Sequence, residues 1–258
     1  AVRGGTMTVL GVNGAAGRMG RTVIETASER DDVDVAFGID VDTDADSEVP
    51  LYAPDETAEA LADHDPDAVI DFTVPDSTVA LATACAEAGV ALVVGTTGVD
   101  EGQLSQLQED SEAIPLLKAT NFSRGIQGLL RALGPALDAL PGYDVEVMET
   151  HHNQKRDAPS GTAKTILDEI AEHRDFDTVA GREGIQPREE DEVGMLVRRA
   201  GDIRGEHEVI LADNDEVLTI SHRAEDRAVF AAGAIDAAVW LADQEAGWYG
   251  FDDVVDAS

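Results

Sequence analysis

Two kinds of hydrophobic pattern follow one another along this chain. In residues 1–120, short runs of aliphatic and β-branched residues alternate with longer segments in which apolar residues recur at helical spacing. The predicted strands are Thr8–Val12, Val33–Ile39, Ala68–Phe72, Ala91–Val94 and Ile114–Ala119, and the predicted helices are Arg18–Arg30, Ser77–Ala88 with Ser77 as N-cap, and Glu101–Ser111. Strands that alternate with helices predict a parallel sheet covered by helices.

The pattern changes near residue 122, beyond which strands follow one another and an α+β domain is indicated. The predicted helices are Gly125–Leu140, Gly161–His173 and Arg227–Ala246, and the predicted strands are Asp144–Thr150, Glu192–Arg199, Glu206–Ala212 and Glu216–Ser221. The last helix is rich in alanine, and its apolar stripe is expected to pack back onto the first domain. We therefore expect an α/β domain of residues 1–123 and 232–258, and a mixed α+β domain of residues 124–231.

A glycine-rich turn joins the first predicted strand to the first predicted helix. Gly14, Gly17 and Gly20 have the spacing G-x-x-G-x-x-G, whereas the common dinucleotide motif is G-x-G-x-x-G. Glycines permit a tight turn and close approach to a pyrophosphate, and the helix N-terminus supplies N–H groups and partial positive charge. This pattern favours a dinucleotide site, and the alternative is a purely structural turn.

Asp40 ends the second predicted strand, where an acid can accept hydrogen bonds from the ribose hydroxyls of a dinucleotide. The alternative is a solvated surface acid. No basic residue follows Asp40, since the next residues are Val41, Asp42, Thr43 and Asp44. A 2′-phosphate would meet negative charge there, so the sequence predicts a preference for NADH over NADPH.

The segment Glu149–Ala163 places several hydrogen-bond donors together in an otherwise acidic chain. His151 or His152 can donate a proton near neutral pH, and Lys155 can pair with an anion. Ser160–Thr162 opens a helix with Ser160 as N-cap, which offers N–H groups and hydroxyls to a carboxylate. A proton donor beside an anion site is what the reduction of a carbonyl or imine by hydride requires.

Other interpretations of this segment stay open. The histidine pair could bind a metal, but no third ligand follows at a suitable spacing, and we expect no metal. A plain capped helix is a second alternative, and Lys155 could merely offset surface acidity.

The net charge of the chain limits the classes of partner that it is expected to bind. Aspartate and glutamate number 53 against 18 lysines and arginines, which gives a net charge of −35, and the acids are scattered along the whole chain. Such a surface repels nucleic acid and anionic membranes, so neither is expected as a partner. A merely acidic enzyme is one interpretation, but we favour a halophilic one, because high salt screens the repulsion between like charges.

The remaining features of the sequence indicate a cytoplasmic protein. Cys85 is the single cysteine, so no disulfide can form within the chain. No apolar run is long enough to cross a bilayer, and residues 1–6 do not have the pattern of a signal peptide.

Several segments, in their order and spacing, resemble the 4-hydroxy-tetrahydrodipicolinate reductase family, also called dihydrodipicolinate reductases. These segments are Gly14–Gly20, Gly95–Gly98, Ala119–Ser123, Glu149–Ala163, Arg199–His207 and Phe230–Leu241. The resemblance implies a Rossmann-like nucleotide domain and a mixed α+β substrate-binding and oligomerisation domain, assembled as a homotetramer. The implied reaction is NAD(P)H-dependent reduction of 4-hydroxy-tetrahydrodipicolinate to tetrahydrodipicolinate with loss of water, in lysine biosynthesis through diaminopimelate.

The resemblance also implies roles for residues at matching positions. His151 matches the proton donor, and Lys155 matches a second catalytic residue that contacts a carboxylate of the substrate. The other implied substrate contacts are His152, Ser160, Gly161 and Thr162. The implied cofactor contacts are Gly14, Ala15, Ala16, Gly17, Arg18, Met19, Asp40, Phe72, Thr73, Gly95, Thr96, Thr97, Ala119, Thr120, Asn121 and Phe122.

The chain departs from the family pattern in two places. Val41 stands where many members carry a basic residue, which again favours NADH. Asn153 and Gln154 replace a more basic pair before the lysine, which weakens the positive charge around the substrate.

Rival functions fit the sequence less well. Short-chain-type dehydrogenases need a Tyr-x-x-x-Lys pair, but the residues four positions after Tyr52, Tyr143 and Tyr249 are Glu, Val and Asp. A semialdehyde dehydrogenase would need a reactive cysteine, whereas Cys85 lies in an alanine-rich helix. A non-catalytic dinucleotide-sensing protein, or a reductase of another small dicarboxylate, remains as an alternative.

Overall fold

A computed structural model describes residues 7–257 of the chain. They form two compact units, one made of residues 7–122 and 227–257 and the other of residues 123–226. The expectation about a signal peptide falls on residues 1–6 and so lies outside the described residues. Within residues 7–257, no helix combines the length and apolar character needed to span a membrane.

The first unit is built on a seven-stranded sheet whose neighbouring strands are all parallel. Numbered along the chain, its strands are β1 (Thr8–Asn13), β2 (Val33–Ile39), β3 (Leu51–Tyr52), β4 (Ala68–Asp71), β5 (Ala91–Val94), β6 (Pro115–Lys118) and β12 (Gly247–Tyr249). Its helices are α1 (Arg18–Ser28), α2 (Thr57–His64), α3 (Pro75–Ala88), α4 (Glu101–Asp110), α7 (Ala228–Leu241) and α8 (Phe251–Asp256). The strand order β3-β2-β1-β4-β5-β6-β12 contains the 3-2-1-4-5-6 order of dinucleotide-binding folds, which confirms the predicted Rossmann-like sheet.

Helices cover both faces of this sheet, which explains why its strands are apolar without alternation. Leu10, Ile70 and Val93 lie in one buried cluster with residues of α1 and α7. Val69 and Leu92, which point the other way, lie in a second cluster with residues of α2, α3 and α4. The sheet is therefore a rigid base for the loops at the carboxyl ends of its strands.

The end of the chain differs from the sequence prediction. The predicted helix Arg227–Ala246 ends at Leu241, and the residues after it form β12 and α8. Strand β12 pairs with β6, and the ring of Tyr249 lies edge-on to that of Trp240, with centroids 5.3 Å apart. Residues 242–246, between the end of α7 and the start of β12, form turns instead of the predicted last turn of the helix.

Two local predictions in the first unit were also wrong. The helix predicted at Ser77–Ala88 begins at Pro75, because proline suits the first turn of a helix, and Ser77 is not its N-cap. Helix α2 was missed, because only two of its residues, Ala60 and Leu61, are buried, and so short a helix leaves little periodic pattern.

The second unit is a mixed five-stranded sheet with two helices. Its elements are α5 (Arg124–Ala139), β7 (Asp144–His151), α6 (Gly161–His173), β8 (Asp177–Val179), β9 (Glu192–Arg199), β10 (Glu206–Asp213) and β11 (Glu216–Arg223). The strand order is β11-β10-β7-β9-β8, so β7 separates two strands that are consecutive in the chain. The predicted α+β class is confirmed, while β8 was not predicted.

One face of this sheet packs on helices α5 and α6. Val145 and Val147 of β7 are buried in a cluster with Ile166 and Ile170 of α6. Side chains of a strand alternate between its two faces, so Glu149 and His151 continue the same buried row. The polar end of this row, Glu149 and His151, therefore lies near the N-terminus of α6.

Candidate active site

The glycine-rich turn of the first unit is shaped by close backbone contacts. Gly14 has a φ of +81°, and a Cβ there would lie 3.0 Å from the carbonyl oxygen of Phe72. A Cβ at Gly20 would lie 2.1 Å from the carbonyl oxygen of Gly14. Only glycine fits either position without displacing backbone, so α1 begins directly against the end of β1. A turn of this shape fits a dinucleotide pyrophosphate.

The turn is held by the end of strand β2. The amide of Gly14 donates to the carbonyl of Ile39 (2.8 Å), and the amide of Ala16 donates to Oδ2 of Asp40 (2.9 Å). These loop amides are therefore used by the protein itself. The first amides of α1, from Arg18 and Met19, have no acceptor within the helix, and no acid lies in its first turn. Those amides are the ones available to an anion.

A buried carboxylate organises the neighbouring strand ends. Asp71, at the end of β4, is 0% exposed. Its Oδ1 accepts hydrogen bonds from Asn13 Nδ2 (2.8 Å) and Thr73 Oγ1 (2.6 Å), and its Oδ2 accepts from Thr78 Oγ1 (2.6 Å) and Thr96 Oγ1 (2.7 Å). Thr96 Oγ1 in turn accepts from the amide of Thr73 (2.9 Å). Asp71 thus ties the ends of β1, β4 and β5 together, a role that apolar patterning did not reveal.

The other predicted cofactor residues differ in accessibility. Gly95 faces the ring of Phe72, which lies 2.1 Å from where a Cβ would stand. The side chains of Ala15 and Phe122 are buried in the core, so a cofactor could reach only their backbone. The remaining predicted positions, partly or fully exposed at the carboxyl ends of β5 and β6, are Thr97, Ala119, Thr120 and Asn121.

In the second unit, the predicted anion site is the N-terminus of α6. Ser160 is its N-cap, as predicted, and its Oγ accepts a hydrogen bond from the amide of Ala163 (3.1 Å). Gly161 is the first helical residue, and Thr162 behind it is buried. The amide of Gly161 has no acceptor within the helix and can serve an anion.

Glu149 lies beneath this N-terminus. Its side chain is 0% exposed, and Oε1 accepts hydrogen bonds from the amide of Ser160 (2.9 Å) and from Nη2 of Arg199 (2.9 Å). Its Oε2 is in contact with Nδ1 of His151. Burial raises the pKa of Glu149, but the hydrogen bonds from His151, Arg199 and Ser160 outweigh burial and lower the pKa to about 2. Glu149 is therefore ionised at neutral pH.

His207 is a further member of this group and was missed as a site residue. It pairs directly with Glu149 across strands β10 and β7, and its ring centroid lies 5.2 Å from that of His151. Its Nε2 is 3.3 Å from Oγ of Ser160. Burial, and then the charge of His151, lower the pKa of His207 to about 4, so it is neutral near pH 7. It lies far from His151 in the chain, and the signals that point to it are its pairing with β7 and its place at the end of the resembling segment Arg199–His207.

Lys155 lies on the loop between β7 and α6. Its Nζ is 2.9 Å from Oδ1 of Asp157, and its side chain is partly buried. The carbonyl of Asp157 accepts a hydrogen bond from Nη2 of Arg199 (2.7 Å), which links the loop to β9. His152 is half-buried on the same loop. The structure therefore brings His151, Lys155 and the start of α6 into one unit, as the sequence predicted.

Glu149, His151 and His207 also form a group of possible metal ligands, with atoms within 4.8 Å of one another. The prediction that no third ligand follows the histidine pair considered only nearby sequence and overlooked His207. However, Arg199 binds the carboxylate of Glu149, and this fixed positive charge opposes a second cation. The carboxylate of Glu149 pairs with Arg199 and His151, while Nε of Arg199 and Nδ1 of His207 are buried without a hydrogen-bond partner among the described residues.

Family models and relatives identify the chain. Residues 8–122 match the model for the N-terminal part of dihydrodipicolinate reductase, and residues 125–255 match the model for its C-terminal part. A 4-hydroxy-tetrahydrodipicolinate reductase of Haloarcula marismortui is 59% identical over 97% of this chain and 100% of its own length. One from Natronomonas pharaonis is 54% identical over 95% of this chain and 98% of its own length.

Solved structures agree on the fold. A dipicolinate-bound dihydrodipicolinate reductase from Paenisporosarcina has a TM-score of 0.77, at 23% identity over 96% of this chain and 99% of its own. GenD2 from gentamicin A biosynthesis, in complex with NAD, has a TM-score of 0.65, at 17% identity over 99% of this chain and 93% of its own. The matches to both family models and the high identity to full-length relatives show that this chain belongs to the dihydrodipicolinate reductase family.

Proposed function

We propose that the loop and helix start around His151, Lys155 and Ser160 carry out this family's reaction. That reaction is the NAD(P)H-dependent reduction of 4-hydroxy-tetrahydrodipicolinate to tetrahydrodipicolinate with loss of water, a step in lysine biosynthesis through diaminopimelate. The observation that carries the proposal is the contact between His151 and the buried, ionised Glu149, next to a helix N-terminus. A proton donor beside an anion site is what the substrate, an unsaturated ring with two carboxylates, requires.

His151 is the proposed proton donor. When bound, the reduced nicotinamide supplies a hydride to the unsaturated ring. His151 would deliver a proton to the neighbouring ring carbon, so that hydride and proton together saturate one double bond. The water of the overall reaction forms from the hydroxyl group of the substrate and a hydrogen of the ring. A histidine suits this role because an imidazole can donate a proton near neutral pH.

The start of α6 and the preceding loop are the proposed site for the substrate carboxylates. Lys155 offers an ammonium group that must exchange Asp157 for the substrate. Ser160, Gly161 and Thr162 offer the N-terminus of a 13-residue helix, and His152 adds a polar side chain from the loop. Holding both carboxylates in place would orient the ring for hydride and proton transfer.

Residues 7–122 with 227–257 are the proposed dinucleotide-binding domain, and residues 123–226 the proposed substrate-binding and oligomerisation domain. The turn from Gly14 to Met19 would hold the pyrophosphate of NAD(P)H. The residues proposed to line the rest of the cofactor are Asp40, Phe72, Thr73, Gly95, Thr96, Thr97, Ala119, Thr120, Asn121 and Phe122. Val41 is 87% exposed and uncharged beside Asp40, which supports a preference for NADH.

Adaptation to high salt is a further proposal, supported by the net charge of −35 and by the two relatives from haloarchaea. Activity measured against KCl should rise to an optimum at molar salt, and an optimum near zero salt would contradict the proposal. Assembly as a homotetramer and a cytoplasmic location stay predictions.

A coupled assay tests the proposed function. Dihydrodipicolinate synthase, pyruvate and aspartate semialdehyde generate the substrate, and oxidation of NADH or NADPH is followed at high salt. We expect turnover that depends on the synthase. NAD(P)H binding without turnover would favour the dinucleotide-sensing alternative, and turnover of a different dicarboxylate alone would favour a related reductase.

A further inference from the structure

We propose that Glu149 is a positioning residue that fixes the proton-bearing nitrogen of His151 and anchors the N-terminus of α6 with the same carboxylate. The inference rests on the proposed function, because it assigns Glu149 a role in the proton transfer by His151. It goes beyond that function because Glu149 belongs to neither the predicted catalytic nor the predicted substrate-binding residues.

The two oxygens of Glu149 have separate tasks. Oε2 contacts Nδ1 of His151. Oε1 accepts from the amide of Ser160 and from Arg199, at 2.9 Å each. The proposed proton donor and the start of α6 are thus both held by Glu149. Its side chain is 0% exposed and cannot move independently of the core.

The charge of Glu149 sets the tautomer of His151. An ionised carboxylate only accepts hydrogen bonds, so Nδ1 of His151 must carry a hydrogen. The proton that His151 exchanges is then the one on Nε2. That nitrogen faces Gly205, where a Cβ would lie only 3.1 Å away. The nitrogen left for proton transfer is therefore bordered by a residue without a side chain.

The surrounding charges keep this arrangement stable. Arg199 on β9 holds a permanent positive charge against Glu149. His207 on β10 is neutral near pH 7, and the more distant charges acting on it come from Lys155 in the loop and His222 on β11. Asp157, which pairs with Lys155, is exposed and offsets the charge of that lysine. Removing Glu149 or Arg199 should therefore change the affinity of His151 for its proton in opposite directions.

The experiment compares Glu149→Gln with Arg199→Gln in the full-length enzyme at constant high salt. Glutamine has one acceptor oxygen where the carboxylate has two. With that oxygen accepting from Ser160 and Arg199, its NH2 group faces Nδ1 and no acceptor remains there, so we expect kcat to fall at least about 100-fold. We also expect the fall of kcat at high pH to begin at lower pH, because the positively charged imidazole of His151 loses the carboxylate that contacts Nδ1. In Arg199→Gln, the same limb of the profile should move to higher pH.

These shifts separate positioning from general damage. Loss of packing alone would lower kcat in both variants without changing the pH at which kcat falls. That result would overturn the inference. Glu149→Asp keeps the charge and should restore the wild-type limb at a reduced kcat. Folding of Glu149→Gln is judged by its thermal transition. If this variant does not fold, the pH profiles of kcat for Glu149→Asp and Arg199→Gln test the inference: an unshifted profile in Arg199→Gln would overturn it.

A double variant distinguishes this inference from the proposed function. If His151 is the donor, His151→Gln is slow, and adding Glu149→Gln should lower kcat less than about threefold further. If His151→Gln keeps wild-type kcat, the assignment of the donor is wrong. If His151→Gln is slow but Glu149→Gln has wild-type kcat and pH profile, only the role of Glu149 is wrong.

Discussion

The two units each bury a carboxylate, and they stabilise it in different ways. Asp71 in the first unit is surrounded by neutral donors, one amide and three hydroxyls. Glu149 in the second unit binds an arginine, an imidazole and a backbone amide. A carboxylate held by dipoles that do not titrate is suited to fixing the positions of strand ends. A carboxylate paired with an imidazole can in addition tune a proton transfer.

This contrast matches the chemistry that each unit is proposed to perform. Binding a dinucleotide needs a shape that stays the same over the working pH range. Delivering a proton needs a group whose protonation changes during the reaction. The networks should therefore respond to substitution in different observables: cofactor affinity and stability for Asp71, and turnover and its pH dependence for the residues around Glu149.

The largest effect should come from the titrating network. His151→Gln removes the proposed proton donor but keeps a polar side chain of similar size, so we expect kcat to fall by about 10²–10⁴-fold. The KM for the substrate should change much less than kcat. His173→Gln, at the far end of α6, is the matched control and should keep wild-type kcat. Equal losses in both variants would remove the special role of His151.

The anion site should show the next largest effect, on both KM and kcat. Lys155→Ala removes the proposed charge-assisted contact to a substrate carboxylate, and such a contact is worth roughly 1.5–3 kcal/mol, or about 10–100-fold in affinity. Because the ring is then poorly oriented, kcat should also fall. Lys164→Ala, an exposed lysine of α6, controls for the loss of positive charge. Wild-type kinetics for Lys155→Ala would exclude it from the site.

Asp71→Asn tests the neutral network. An amide group would face hydroxyl donors, so we expect a loss of roughly 1–3 kcal/mol in the free energy of unfolding, measured by denaturant titration. The KM for NADH should rise while the pH dependence of kcat stays unchanged. Asp110→Asn, at the end of α4, is the control for a buried acid away from the proposed cofactor site. A shift in the pH dependence of kcat for Asp71→Asn would contradict the proposed difference between the two networks.

Titration of His207 should make the stability of the protein depend on pH. Its pKa is lowered to about 4, so between pH 6.5 and 4 the unfolded chain binds a proton that the folded chain does not. Stability is therefore lost as the pH falls through this window, by up to about 3 kcal/mol from this residue. In His207→Gln, this part of the pH dependence should disappear. Parallel curves of unfolding free energy against pH for the two proteins would contradict the buried, neutral state of His207.

The smallest effect concerns the surface of the first unit. Val41→Arg adds a cation beside the proposed ribose site, where it could pair with a 2′-phosphate. We expect the ratio of kcat/KM for NADPH to that for NADH to rise about tenfold or less, since exposed ion pairs contribute up to about 1 kcal/mol and high salt screens them. Val41→Ala should leave the ratio unchanged.

Sequence patterns predicted the longer strands and helices of both units, because burial of one or both faces of an element leaves a clear periodicity of apolar residues. They also identified the donor-rich loop, because His151, Lys155 and Ser160 are close together in the chain. They missed α2, β8 and β12, which are short and leave too few positions to show a period. They missed the roles of Asp71, Glu149 and His207, because these depend on which strands are neighbours. Glu149 and His207 meet only because β7 lies beside β10.

The bond from the amide of Ala16 to Asp40 has a consequence for redesigning cofactor choice. The side chain proposed to bind the ribose also holds the glycine-rich turn in place. Exchanging Asp40 for a residue that can bind a 2′-phosphate would loosen the turn proposed to bind the pyrophosphate. Selectivity gained at the ribose would then lower the affinity for the pyrophosphate. Position 41, whose side chain is solvent-exposed, is where specificity can be changed without that penalty.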